Sequence, residues 1–340
     1  MKLIMTGLDH KRASLETREK FAVKKEKTQK ILAAINDGGI AGGCVLISTC
    51  NRTELYASVP DIRLFDPSKV LCGALDRDFA DYDHLFTTRT DESAIRHLCR
   101  MASGLDSQIV GDDQIITQVR EALELSREQN CADSYLETMF KLAIQAAKDI
   151  KTNVILKSFG VGSIPGQAVE KLKTLCHLAG RNAVVIGNGQ MGRLVSEHLI
   201  REKVNVTVTL REYKKGVIKV PDGAGTINYN QRYRAIENAD ILLSATTSPH
   251  FTIHRDELSG LARLPEIIVD LAVPRDVEPW VSEIRGVTLL TIDDISGEHR
   301  ALPPESIAMI DEIIAEHVEK YYRWLGFRTN MALGVKGGRA

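Results

Sequence analysis

A chain of 340 residues, 44% hydrophobic and 26% charged, is long enough for two domains with separate cores. Its formal net charge of −1 gives no general cationic field, so any nucleic-acid contact must come from a local basic patch. No run approaches the roughly 18 apolar residues of a membrane span, the six cysteines form no CxxC pair, and MKLIMTGLDHKRAS lacks the apolar core of a signal peptide; the expectation is a cytoplasmic protein with reduced thiols and no metal site.

In chain order, residues 2–7 read as a strand, Leu8 to Arg12 as a polar loop and 15–21 as a helix. Residues 24–36 set Ile31, Leu32 and Ile35 opposite lysines, an amphipathic helix. Gly38-Gly39 and Gly42-Gly43 mark the return to the apolar run Val45-Leu46-Ile47 and then Ser48-Thr49-Cys50-Asn51-Arg52-Thr53-Glu54-Leu55-Tyr56. Here a cysteine stands between hydroxyl residues and an Asn-Arg pair where a buried strand ends. A cysteine is a nucleophile only as thiolate, and a neighbouring guanidinium such as Arg52 lowers its pKa from about 8.5; Ser48, Thr49 and Asn51 can donate hydrogen bonds or cap a following helix. A free cysteine is otherwise usually a small buried hydrophobe, and the polar, cationic setting of Cys50 argues for the nucleophile.

After Asp61 the pattern is less informative until 92–102, a helix with Arg96, His97 and Arg100. The dense run Ser103 to Ile116 reads either as a site loop or as a capped helix connection, which leaves Gln108 and Gln114 unexplained. Residues 118–129 and 135–151 continue as helices. Lys141, Lys148, Lys151 and Lys157 give a basic face, a feature that is more often simply solvated.

From Gly166 the pattern changes to a helix over 167–178, a strand ending at Ile186, Gly187-Asn188-Gly189-Gln190-Met191-Gly192, a helix over 193–202 and a strand over 204–210. This is strand, Gly-x-Gly-x-x-Gly, helix, strand: the first glycine allows the tight turn, the second the approach of a pyrophosphate, the third helix–strand packing, with phosphates at the helix N-terminus. Just beyond, Arg211 with Lys214 and Lys215 favours NADP, while Glu212 speaks for NAD. Short buried strands over 241–244, 267–269 and 287–290 complete a doubly wound sheet. Ser244 to Thr247 and Asp270 to Asp276 sit just past strand ends, the ligand-binding edge of such sheets. Residues 305–325 form one helix whose Ile307, Ile310, Ile314 and Val318 must lie along another surface, and the tail from Gly334 reads as disordered.

Together, GLDHK with REKF, STCNRTELY, HLCRMASGLDSQIVGDDQI, VIGNGQMG, and DLAVPRDVEP with IDDI resemble the glutamyl-tRNA reductase family, in the family's order and over nearly the whole chain. The resemblance implies an α/β protein with an N-terminal catalytic domain over 1–155, a Rossmann-type NADP-binding domain over 156–300 and a C-terminal long helix and tail over 301–340. It implies that Cys50 attacks the ester of glutamyl-tRNA to give a thioester, which hydride from NADPH reduces to glutamate-1-semialdehyde, opening tetrapyrrole synthesis. His97 is then a proton donor or orienting group, and Arg52 reads the substrate's side-chain carboxylate. Thr49, Ser107, Asp112, Gln114 and Gln118 hold substrate. Gly187, Asn188, Gly189, Gln190, Met191, Gly192, Arg211 and Lys214 hold the cofactor. Glutamate-1-semialdehyde aminotransferase is a candidate partner, and no membrane is involved. Departures from the family are Asp9 for Asn, Arg12-Ala13-Ser14 for Thr-Ala-Pro, Gly111-Asp112 for Gly-Glu, and a chain that stops soon after Trp324 where the family adds a dimerisation domain, leaving the oligomeric state open. The alternatives are a paralogue reducing another aminoacyl-tRNA or a carrier-bound acyl group, and a non-catalytic regulatory homologue.

Overall fold

The computed structural model describes residues 1–39, 41–49, 51–106, 114–154, 164–211, 220–295 and 302–332. The chain divides into two units, Met1–Gly160 with His299–Ala340, and Val161–Glu298.

The first unit opens with β1 (Lys2–Asp9), buried through its interior. α1 (Leu15–Phe21) follows, its N-cap Ser14 accepting the Thr17 N–H, then α2 (Lys25–Asp37). The hairpin β2 (Gly43–Ser48) and β3 (Arg52–Val59) comes next. α3 (Pro67–Ala74), α4 (Phe79–Tyr82), β4 (Thr87–Thr90), α5 (Asp91–Ala102), α6 (Gln114–Glu128) and α7 (Ser134–Asn153) complete it. The sheet order is β2-β3-β1-β4, antiparallel throughout. Of the two roles open to Ser48, Thr49 and Asn51, hydrogen bonding or capping a following helix, the described residues leave no helix to cap, since a strand, β3, follows. Thr53, Leu55, Ala57 and Val59 alternate with Arg52, Glu54, Tyr56 and Ser58, the two-residue period of a strand with both faces covered, and every residue of β3 is buried. Tyr56, Met5 and Val45 join the core formed with α5, α6 and α7. Leu55, Ala57 and Leu46 face a second core that includes Leu32 of α2 and Leu71 of α3.

The second unit runs α8 (Ile164–Leu175), β5 (Asn182–Ile186), α9 (Gln190–Arg201), β6 (Asn205–Leu210), β7 (Gly225–Asn228), α10 (Arg232–Ile236), β8 (Ile241–Ser244), α11 (Arg255–Ser259), β9 (Ile267–Asp270), β10 (Thr288–Thr291) and α12 (Ile292–Ile295). Its sheet order is β10-β9-β8-β5-β6-β7, and every paired neighbour is parallel. Strand order reverses at β5, the switch point where open α/β sheets take ligands.

The chain then re-enters the first unit as α13 (Pro304–Ala332). Ile310, Ile314, Val318 and Tyr321 follow helical spacing and pack into the core with α5 and α7, so this helix belongs to the N-terminal core where the sequence set 301–340 apart. His317 Nε2 lies 2.8 Å from Asp149 Oδ2 and ties α13 to α7. Among the described residues no helix is long and apolar enough to cross a membrane.

Candidate active site

On β3, side chains two apart share a face. Arg52, Glu54 and Tyr56 therefore form a row, and α5 supplies His97 from the face that also buries Ala94, Leu98 and Met101. Glu54 gathers the row: Oε1 accepts from Arg52 Nη1 at 3.0 Å and lies 3.0 Å from His97 Nε2, while Oε2 accepts from the Tyr56 hydroxyl at 2.7 Å. Burial alone would raise the Glu54 pKa. The positive charges of His97 and Arg52 and the hydrogen bonds from His97 and Tyr56 outweigh it and hold the carboxyl well below the usual range. Arg52, only 1% exposed, also donates Nη2 to the Asp106 carbonyl. Gly7 is the register partner of Glu54, and a Cβ on Gly7 would stand 2.5 Å from the Glu54 Cγ. Only glycine leaves room for that side chain.

Between β2 and β3 the chain turns through Thr49 and Asn51. Thr49 N–H donates to the Arg52 carbonyl at 2.8 Å, and the Thr49 hydroxyl accepts from Asn51 N–H. Asn51 is held from two sides, its carbonyl accepting the His10 N–H at 2.9 Å and its side-chain oxygen accepting from the buried Arg18. Burial, reinforced by Arg52, Arg18 and Lys11 against the pull of Asp9, lowers the His10 pKa to about 4, so that ring is neutral at physiological pH. Asp106 lies 3.6 Å from Lys11 and 3.5 Å from Arg100. Burial raises its carboxyl, but Arg100, Lys11, His97 and Arg52 bring it below its usual value.

Of the expected site residues, the structure brings Arg52 and His97 together through Glu54 and sets Thr49 at the adjoining turn. Cys50, Ser107, Asp112 and Lys214 lie outside the described residues, as does the side chain of Gln114, whose backbone opens α6; Gln118 is half-buried one turn on. The Arg52 guanidinium, read from sequence as a charge beside the thiol, has its charge matched inside the protein by Glu54. Glu54, Asp106 and His10 were missed. The available signal was the Arg52-Thr53-Glu54 alternation, which puts opposite charges on one face once the segment is seen to be a strand.

In the second unit Gly187 has φ +104°, and a Cβ on Gly192 would lie 1.9 Å from the Gly187 carbonyl oxygen. These two glycines let α9 start hard against the end of β5. A Cβ on Gly189 meets nothing within 4 Å, and Asn188 Oδ1 is buried with no partner among the described residues. Open space over the N–H groups of the helix N-terminus fits a dinucleotide pyrophosphate. The ends of β8 and β9 are organised by two buried carboxylates. Asp276 accepts from Ser244 Oγ and Thr246 N at 2.7 Å and from Thr246 Oγ1 at 2.5 Å. Asp270 accepts the N–H groups of Ala272, Asp276 and Val277 at 3.0, 2.9 and 2.9 Å. Burial pushes Asp270 up to about 7 against those hydrogen bonds, with Asp276 adding repulsion, and burial likewise raises Asp276. Arg211, one residue past β6, places its guanidinium carbon 4.3 Å from the Tyr229 ring centroid. Among the described residues no group of His, Cys, Asp and Glu could hold a metal ion.

A parallel doubly wound sheet with Gly-x-Gly-x-x-Gly at its switch point defines a dinucleotide-dependent oxidoreductase. Residues 6–154 match the family model "Glutamyl-tRNAGlu reductase, N-terminal domain", and residues 168–298 match "Shikimate / quinate 5-dehydrogenase". Glutamyl-tRNA reductase of Acetivibrio thermocellus is 40% identical over 334 residues, covering 98% of this chain and 100% of that relative. That of Alkaliphilus oremlandii is 37% identical, covering 97% and 99%. Among solved structures, glutamyl-tRNA reductase from Methanopyrus kandleri is 29% identical with a TM-score of 0.52, over 97% of this chain and 82% of that one. The chain belongs to the glutamyl-tRNA reductase family.

Proposed function

We propose that this protein reduces glutamyl-tRNA to glutamate-1-semialdehyde with NADPH, using Cys50 as nucleophile. The observation that supports it most is the buried Arg52–Glu54–His97 cluster at the root of the β2–β3 hairpin, the segment in which Cys50 stands. The Cys50 thiolate attacks the ester carbonyl carbon; the C–O bond to the terminal adenosine breaks, the ribose hydroxyl leaves with a proton, and a thioester remains. His97, oriented by Glu54, is the donor of that proton. Arg52 presents its remaining N–H groups to the substrate's side-chain carboxylate, with Glu54 and the Asp106 carbonyl fixing the guanidinium plane, a bidentate role that lysine fills poorly. Thr49, Ser107, Asp112, Gln114 and Gln118 are proposed to line the substrate path.

Gly187, Asn188, Gly189, Gln190, Met191 and Gly192 would hold the cofactor pyrophosphate, with Arg211 and Lys214 on the 2′-phosphate. Reduction of the thioester to the aldehyde, releasing the thiolate, is the hydride chemistry that NADPH supplies when bound. Residues 1–155 are proposed as the catalytic domain and 156–300 as the cofactor domain, with the helix of 301–340 completing the first unit's core. The reactive aldehyde suits transfer to glutamate-1-semialdehyde aminotransferase, and the reaction is assigned to the cytoplasm. Mass spectrometry of the intact chain mixed with glutamyl-tRNA in the absence of NADPH tests the reading. It should show a glutamyl adduct that Cys50→Ser abolishes, and once NADPH is added the native chain should form glutamate-1-semialdehyde while the serine variant forms none. Product from the serine variant, or an adduct formed only with another acyl donor, overturns it.

A further inference from the structure

β6 and β7 run parallel with Leu210 paired to Asn228, so Arg211 and Tyr229, each one residue further on, emerge side by side at the C-terminal edge of the sheet. The Arg211 guanidinium carbon stands 4.3 Å from the Tyr229 ring centroid, within the range of a cation–π contact. The ring is itself fixed: it packs on the cluster containing Ile236, Leu242 and Ile253. Arg232 lies 4.5 Å from the same centroid while donating to the Thr252 carbonyl at 3.0 Å. Tyr229 is a half-buried, anchored platform on which the long Arg211 side chain lays its guanidinium.

We propose that Tyr229 is a positioning residue for cofactor selection, holding the Arg211 guanidinium by its face so that its N–H edge is presented to the 2′-phosphate of NADP. The two demands use different parts of one group, since an aromatic ring takes the guanidinium face and a phosphate takes the in-plane N–H fork. Stacking therefore organises Arg211 without competing for its donors. The inference rests on the reading that Arg211 meets the 2′-phosphate, and nothing in the Gly-x-Gly-x-x-Gly pattern points to Tyr229.

Titration calorimetry of the full chain with 2′,5′-ADP and with 5′-AMP separates the two ideas. Arg211→Ala should weaken 2′,5′-ADP by tenfold or more and leave 5′-AMP unchanged. Tyr229→Leu, which keeps bulk but has no π face, should weaken 2′,5′-ADP about fivefold, while Tyr229→Phe and Tyr229→Trp stay within about twofold of the native chain. If Arg211→Ala binds both ligands normally, the Arg211 reading fails and the inference with it. If Arg211→Ala behaves as expected but Tyr229→Leu binds 2′,5′-ADP like the native chain, or loses both ligands equally, Tyr229 has no positioning role. Should the leucine variant not fold, Tyr229→Met takes its place. A phenylalanine variant as weak as the variant without a ring also overturns the proposal, because it would move the effect to the hydroxyl.

Discussion

Glu54→Gln removes one charge and almost no volume from the first unit. In the native chain Glu54 is 3% and Arg52 1% exposed, and the carboxylate accepts from Arg52, His97 and Tyr56. A glutamine carbonyl can still accept from Arg52 and His97, and its amide can donate to the Tyr56 hydroxyl, so the loss is chiefly that of the charge opposite Arg52. Removing one partner of a buried ion pair costs about 3–5 kcal/mol. With the hydrogen bonds kept, the low end applies, about 3 kcal/mol, or roughly 6–12 °C in melting temperature for a domain of this size. The pH dependence has a definite sign. The folded Glu54 carboxyl titrates below its unfolded value, so its stabilisation is complete above about pH 4.5 and is lost as pH falls through the folded pKa. Urea unfolding followed by Trp324 fluorescence in a Trp280→Phe background reports on the first unit. The gap between native and variant should be flat from pH 8 to 5 and should narrow on further acidification. A gap under about 1 kcal/mol at neutral pH, below any buried-pair value, or one that widens in acid, refutes the reasoning.

Gly189→Ala should leave the melting of the second unit unchanged, since its Cβ enters open space, but weaken NADPH at least tenfold, about 1.4 kcal/mol, by occupying the pyrophosphate position. Gly192→Ala, with its Cβ 1.9 Å from the Gly187 oxygen, should instead destabilise the unit by about 3 kcal/mol or more; calorimetric melting and NADPH titration on both variants separate the two effects, and equal melting counts against the packing account. Asp270, pushed up to about 7 by burial, contributes in the opposite sense to Glu54. Its stabilisation is full below the unfolded carboxylate value and lost as pH rises through about 7, so the second unit should melt higher at pH 5 than at pH 8; a profile rising across that interval would count against the assignment.

The parallel sheet was legible because β5, β8 and β9 are short apolar runs and β6 and β10 carry β-branched and leucine residues next to turn signals. Ile241–Ser244 matches the expected bounds, and Asn205–Leu210 and Thr288–Thr291 differ by a residue. β7 escaped notice because Gly225-Thr226-Ile227-Asn228 is short, holds one large apolar residue and is exposed at its start; its pairing with β6, not its composition, makes it a strand. The same holds for β4, whose Thr87-Thr88-Arg89-Thr90 has no apolar residue and pairs with β1. At the first site Arg52 stood out in sequence beside the cysteine, while His97 was marked out by the family resemblance and not by its own surroundings on a helix. Glu54 did not stand out, because its part depends on which face of β3 it shares and on a histidine brought from α5, and sequence adjacency reports neither.

Buried carboxylates organise both units, and the partners each one faces decide how it responds to pH. Glu54 receives a guanidinium and an imidazole, and those charges overcome the burial that would otherwise protonate it. Among the described residues Asp270 accepts from backbone N–H groups, and Asp276 accepts from hydroxyl and backbone N–H groups with a weaker pull from the Arg211 charge; these do not outweigh burial, so both rise. The same comparison recasts Arg52. A guanidinium paired with Glu54 at 3.0 Å is not an uncompensated cation, since the carboxylate offsets its field increasingly with distance from the pair. What survives the offset is geometry: a guanidinium plane locked by Glu54 and the Asp106 carbonyl. That is the property a carboxylate reader needs and a general lowering of thiol pKa does not.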